Sequence, residues 1–158
     1  MAKKISDGWI RGVKGNEYAE DLTSGDATAV IGWSGDMFIL ASENEGKFDF
    51  AIPESGGTIS SDNFVIPYTV GADAKANAEK MINYYYDPAV AAEVAAYVNY
   101  VCPVKGAQAE MEKIDPDLAK SEYIFPTEKT MAKLNVFRAL TTDEETTWTE
   151  AFQKAAGV

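Results

Sequence analysis

Histidine is missing from this chain of 158 residues, and cysteine occurs once, at Cys102. The first absence removes Ser-His-Asp and Cys-His nucleophile pairs, histidine-ligated zinc and the commonest general base together. The second excludes an internal disulfide and a cysteine cluster for zinc. Positive charge is also scarce: 14 Lys and Arg stand against 25 Asp and Glu, for a formal net charge of −11. Such a surface repels phosphate backbones and anionic lipid, which argues against nucleic acid or membrane-surface partners, and it draws cations in. No apolar run approaches the ~20 residues of a membrane-spanning helix. The first eight residues carry Lys3 and Lys4 without a following apolar core, so they do not read as a signal peptide. No Walker or dinucleotide fingerprint is present. The acid clusters Asp115-Pro116-Asp117 and Asp143-Glu144-Glu145 match no metal-binding loop and fit helix starts or solvated surface better. The chain is therefore expected to be neither an enzyme nor a holder of metal or cofactor.

What is present suffices for a globular core, with 46% hydrophobic residues. Residues 2–6 read as the tail of a helix that stops by Gly8. Trp9 to Val13 and the apolar run Ala27 to Trp33 read as strands, as do the alternating Lys47 to Ile52 and Asn63 to Pro67. Helices are expected over Glu17–Leu22, capped by Asn16 and closed by Gly25, and over Asp36–Ser42 and Lys75–Tyr86. Asp87 and Pro88 form a cap and first-position proline for a helix from Ala89 to Asn99. Short helices follow near Ala107–Lys113 and Asp117–Ser121, then one over Thr127–Leu140 and a last one from Asp143 toward Ala156. Alternating elements in the first half and helices in the second make the class α/β. Four short strands are fewer than the about five that a doubly wound domain of this size uses, a hint that the arrangement is incomplete.

Trp33 and Asp36 stand at the carboxyl end of a predicted buried strand, where open α/β sheets gather ligands. An indole face attracts ammonium groups and a carboxylate supplies a charged acceptor, a combination suited to an organic cation. Equally, Trp33 could be a core aromatic and Asp36 a helix cap. Asp62 lies in a turn-like patch, either as a second carboxylate for a cation or as an Asx-turn residue. Tyr100 offers a hydroxyl and a ring face, or half-buried packing. Tyr84-Tyr85-Tyr86 invites a reading as an aromatic cage. Successive helical residues point about 100° apart, so the three should not converge, with Tyr85 inward and the others outward.

Several segments in order carry a resemblance: Asn16 to Leu22; Trp33-Ser34-Gly35-Asp36; Ile52-Pro53-Glu54-Ser55-Gly56-Gly57; Ser61-Asp62-Asn63 with Val65-Ile66-Pro67; Glu79 to Tyr86 running into Asp87-Pro88; Tyr97 to Tyr100; and Phe125-Pro126. From Asn16 onward the chain resembles the C-terminal portion of extracytoplasmic spermidine/putrescine-binding proteins of ABC transporters. The resemblance implies a type II periplasmic-binding-protein fold of two lobes, incomplete here. Residues 1–60 would belong to the second lobe, 61–107 would return to the first, and 108–158 would be the C-terminal helices of the second. It implies binding of a small cationic polyamine without chemistry, presentation to a transporter permease, and a periplasmic or extracellular, membrane-associated setting for the full-length protein. The family's N-terminal portion has no counterpart, so the chain reads as a fragment whose bare lobe surfaces would favour self-association. By position, Trp33 would stack on the polyamine, Asp36 and Asp62 would take its amines, and Tyr100 would line the cleft. Ser60, where the family usually has an aromatic wall, and Phe137, in place of a polar contact, depart from the pattern. They leave room for a different small ligand in a related solute-binding protein. Two further alternatives come from the residues alone: a carboxylate-based enzyme such as a glycosidase, and a plain structural or interaction domain.

Overall fold

A computed structural model describes residues 1–157. Along the chain run α1 (Ala2–Ser6), α2 (Tyr18–Ser24), α3 (Ser34–Glu43), β1 (Gly57–Thr58), α4 (Ala72–Tyr85), α5 (Pro88–Val98) and α6 (Ala107–Ile114). A 3₁₀ turn at Leu118–Lys120, α7 (Glu128–Met131), β2 (Leu134–Asn135) and α8 (Thr142–Ala156) complete it. The chain divides into two compact units, one formed by Met1–Trp33 with Phe137–Val158 and the other by Ser34–Val136.

The core of the Ser34–Val136 unit is built on small side chains. Ala91, Ala92 and Ala95 of α5 are buried together with Ala107 and Met111 of α6, Ala119 and Ile124. Cys102, Val104, Leu118 and Phe125 pack around them, and the Cys102 thiol is free and half-buried. A helix face made of alanine lets a neighbouring helix approach closely, since interaxial distance follows the size of the side chains between. The start of α5 is fixed as the sequence predicts. The Asp87 carboxylate accepts the Ala89 amide at 2.9 Å, and Pro88 needs no donor at the first helical position. The helix ends at Asn99, the one non-glycine residue of positive φ (57°) among those described. Its amide bonds back to the Ala95 carbonyl at 2.9 Å.

In the other unit α1 packs against α8. Gly25, at φ 79°, closes α2 as expected, but Glu17 rather than Asn16 occupies the N-cap position. Helix α8 opens on a capping box. Thr141 Oγ accepts the Glu144 amide, the Glu144 carboxylate accepts the Thr141 amide, and the Arg138 guanidinium grips the same carboxylate at 2.7 and 3.0 Å.

The predicted strands are the principal correction. Trp9–Val13, Ala27–Trp33, Lys47–Ile52 and Asn63–Pro67 are irregular chain. The one ladder among the described residues pairs Gly57 with Leu134 and Thr58 with Asn135 in parallel. A strand exists only where a neighbour accepts its amides and carbonyls, however favourable its composition. Lacking such neighbours, these runs leave apolar side chains in solvent: Ile31 is fully exposed and Val65 is 81% exposed. The expected helix Thr127–Leu140 is likewise cut short. After α7 the chain is drawn into the ladder, where Gly57 and Ile59 donate to Lys133 and Asn135 carbonyls at 3.1 and 3.0 Å. Gly56 enters this ladder at φ 95° with the Lys133 carbonyl 2.7 Å from where a Cβ would stand, so only glycine fits. The result is richer in helix and poorer in strand than the α/β expectation.

Asp87→Ala is expected to destabilise the protein by about 1 kcal/mol through loss of the α5 cap, read by urea unfolding followed by circular dichroism. A second expectation concerns acid. The Arg138 guanidinium first, and the Thr141 amide second, hold the Glu144 carboxyl down to about 2. Because the folded value is depressed, the contribution of this pair is complete above the ordinary carboxylate range. It fades as pH falls toward about 2. Carbon-detected NMR titration should place the Glu144 midpoint near that value, and Arg138→Gln should move it up. An unmoved midpoint would remove the guanidinium as the cause.

Candidate functional site

Within Ser34–Val136, the chain brings Asp36 and Tyr100 together across 64 positions. Asp36 lies in the first turn of α3, where a negative charge suits the helix dipole. Tyr100 lies just beyond α5. Its hydroxyl donates to Asp36 Oδ1 at 2.8 Å. Two features make the contact feasible. The left-handed Asn99 turns the chain out of the helix, and Gly35 offers no side chain under the ring. A Cβ at Gly35 would stand 2.3 Å from Tyr100 Cε2 and 2.5 Å from Cδ2. The glycine is buried, while Tyr100 keeps 37% of its surface exposed. The Tyr100 hydroxyl is a neutral donor, so this bond orients the carboxylate without adding a charge to it.

Asp62, in the same unit, is exposed. It lines a depression of about 340 Å³ with Asn63, Phe64, Ile82, Tyr85, Tyr86 and Pro103. Neither Asp36 nor Tyr100 is part of that lining. The Phe64 and Tyr85 rings meet edge-on with centroids 5.7 Å apart, and Tyr85 meets Tyr86 likewise at 5.4 Å. Burial raises the Tyr85 hydroxyl above its ordinary pKa, with smaller pushes from Cys102 and Tyr86, so it stays neutral at physiological pH. No lysine or arginine among the described residues forms an ion pair with Asp62. The arrangement is an acid beside aromatic faces, with no protein cation on the acid.

The tyrosine run behaves differently from expectation in one respect. Tyr84 points away, at 68% exposed, as the helical angle requires. Tyr85 and Tyr86 nevertheless share the depression, because α4 ends at Tyr85 and Tyr86 is its cap residue, beyond regular helix. Phe64 joins them from the stretch expected to be a strand. Chain reversal of this kind leaves no periodic signal in the sequence.

Trp33 belongs to the Met1–Trp33 part of the other unit and is 53% exposed. Its amide donates to the Tyr18 hydroxyl at 3.1 Å. Of the departures noted in the sequence, Ser60 is exposed in the Ser34–Val136 unit, and Phe137 is 78% exposed in the other. Among the described residues, no group of three or more acid or cysteine side chains is placed to hold a metal ion. No helix there is long and apolar enough to cross a membrane.

Comparison with known proteins decides the family. Residues 1–126 match the bacterial extracellular solute-binding proteins. The chain belongs to that family. Among curated solute-binding relatives, it is 30% identical over 132 residues to the putrescine-binding periplasmic protein PotF of Escherichia coli (strain K12), covering 79% of this chain and 34% of PotF. It is 25% identical over 131 residues to a putrescine/agmatine-binding protein of Pseudomonas aeruginosa, covering 80% of this chain and 34% of that protein. It is 29% identical over 118 residues to a spermidine/putrescine-binding periplasmic protein of Salmonella typhimurium, covering 75% and 31%. The chain therefore spans about a third of the length of the curated solute-binding proteins it matches.

Gly35→Ala is expected to push the Tyr100 ring off α3 and break its bond to Asp36. Stability should fall by about 1–3 kcal/mol, the usual range for inserting a group into a packed contact. Tyr100→Phe, which loses only the hydroxyl, should cost about 1 kcal/mol or less. Equal urea midpoints for Gly35→Ala and the parent would show that the ring does not rest on the glycine.

Proposed function

We propose that this chain forms part of the polyamine-binding component of an ABC-type uptake system. The observation that carries the reading is the Tyr100–Asp36 hydrogen bond. Two residues 64 positions apart, each expected at a polyamine contact from the resemblance, meet at 2.8 Å. The three relatives described above, named as binders of putrescine, putrescine/agmatine and spermidine/putrescine, point the same way. Membership of the solute-binding family supports the type II fold, and with it a two-lobe protein to which this chain contributes portions of both lobes. In that reading residues 1–60 and 108–158 belong to the second lobe and 61–107 to the first.

The mechanism is binding without a reaction. An ammonium group brought out of water needs charged or polar acceptors in place of its hydration. Asp36, already oriented by Tyr100, supplies one carboxylate, and Asp62 supplies another beside the Phe64, Tyr85 and Tyr86 rings. Ring faces attract an ammonium and also cover the methylene spacer of a polyamine. Trp33 contributes an indole face in its own unit. A carboxylate facing a cation stays ionised, since the opposite charge favours that form. Periplasmic names among the relatives support action outside the cytoplasmic membrane, with delivery of the ligand to a permease. Exposed apolar runs such as that containing Ile31 favour self-association of the isolated chain.

In the full-length protein, where lobe closure would bury the pair, Asp62→Ala is expected to weaken putrescine binding by about 2–5 kcal/mol, the range for a buried charge pair that loses one partner. Calorimetric titration of parent and variant with putrescine, spermidine and an uncharged solute tests the reading. Binding of the uncharged solute in preference to both polyamines would overturn it, and an unchanged putrescine affinity would remove Asp62 from the site.

A further inference from the structure

Two glycines in this chain directly precede residues assigned to the ligand, and a tyrosine ring lies against each. At Gly35 the ring is Tyr100, and its hydroxyl bonds to the next residue, Asp36. At Gly32 the ring is Tyr18. A Cβ there would stand 2.8 Å from Tyr18 Cε2, 3.2 Å from Cζ and 3.3 Å from Cδ2. The Tyr18 hydroxyl again bonds to the next residue, accepting the Trp33 amide at 3.1 Å. Gly32/Tyr18 and Gly35/Tyr100 lie in different units, and the tyrosines come from unrelated places, the first residue of α2 and the segment after α5. The same device thus arises twice, with the ring resting on a bare Cα and the hydroxyl reaching the following residue.

We propose that Tyr18 and Gly32 are positioning residues for the Trp33 indole. Residues 27–32 form no ladder, so regular structure does not fix the backbone leading into Trp33. The indole is half exposed, so burial does not fix it either. What holds the backbone there is a bond to its amide from a half-buried tyrosine, together with a ring whose close approach allows no side chain at position 32. Anchoring the amide narrows the directions in which the indole projects. An aromatic face ordered before the ligand arrives lowers the entropic cost of binding. The ligand consequence rests on the polyamine reading, whereas the positioning of Trp33 stands without it.

The test uses the full chain with Trp9→Phe and Trp148→Phe, which leaves Trp33 as the single indole. Fluorescence anisotropy of Trp33, excited at the red edge where tyrosine does not absorb, is measured without ligand and then during a putrescine titration. Tyr18→Phe keeps the ring and removes the hydroxyl, and Gly32→Ala keeps the hydroxyl and lifts the ring. Each should lower the anisotropy of free Trp33 with an unchanged far-ultraviolet circular dichroism spectrum. Each should also weaken putrescine binding by about three- to tenfold, as expected for one hydrogen bond. Free-state anisotropy equal to the parent's in Tyr18→Phe would overturn the proposal, and that variant decides alone if Gly32→Ala does not fold. A parent that ignores putrescine sinks the polyamine reading, while the free-state anisotropy still decides whether Tyr18 positions Trp33.

Discussion

The alanine contact between α5 and α6 is the constraint on which the Ser34–Val136 unit depends. Ala91, Ala92 and Ala107 have no solvent exposure and Ala95 has almost none, so methyl groups make up most of the buried contact, with Met111 of α6 the large side chain among them. A core of this kind gains little per side chain from burial and much from the number of atoms in contact. The segment after α5 is held at a second point, where the Cys102 amide donates to the Ile124 carbonyl at 2.9 Å. Tyr100 lies between the left-handed Asn99 and this tether, and its placement is therefore determined from both sides. The hydroxyl on Asp36 follows from helix packing at the far end of the same chain segment.

The two carboxylates proposed for the ligand lie beside hydroxyls and rings. Asp36 has the Tyr100 hydroxyl, and Asp62 has Phe64, Tyr85 and Tyr86 around its depression. A neutral donor orients a carboxylate without cancelling its field. Elsewhere Asp21, Asp26 and Glu144 pair with Lys14, Arg11 and Arg138.

Helices with local end signals were legible in the sequence and strands were not, for one physical reason. Asp87-Pro88 marked α5 to within a residue because a cap and a first-position proline are local devices, and Asp143-Glu144-Glu145 marked α8 for the same reason. The run Ala27 to Trp33 has the composition of a buried strand, but a ladder needs a second chain segment, and none pairs with it among the described residues. Of the site, the Trp33, Asp36, Asp62 and Tyr100 assignments came from resemblance to a family. Their surroundings came from the fold. Tyr18 was read only as part of a helix, Gly32 only as part of the predicted strand Ala27 to Trp33, and Gly35 only within Trp33-Ser34-Gly35-Asp36, although a glycine ahead of both Trp33 and Asp36 was visible. The meeting of Tyr85 with Tyr86 was missed because helical geometry was carried one residue past the end of α4.

Seating a ring on a bare Cα also shapes how such a protein can change over generations. Position 35 accepts no larger residue while a full tyrosine occupies position 100, and the hydroxyl at 100 reaches Asp36 only while position 35 stays empty. The effects of substitutions at the two positions should therefore not add, since they share one contact. A lineage that trades the tyrosine for a small residue frees position 35 to vary and closes the route back: once a side chain has filled the gap, restoring the ring alone brings a collision in place of the hydrogen bond.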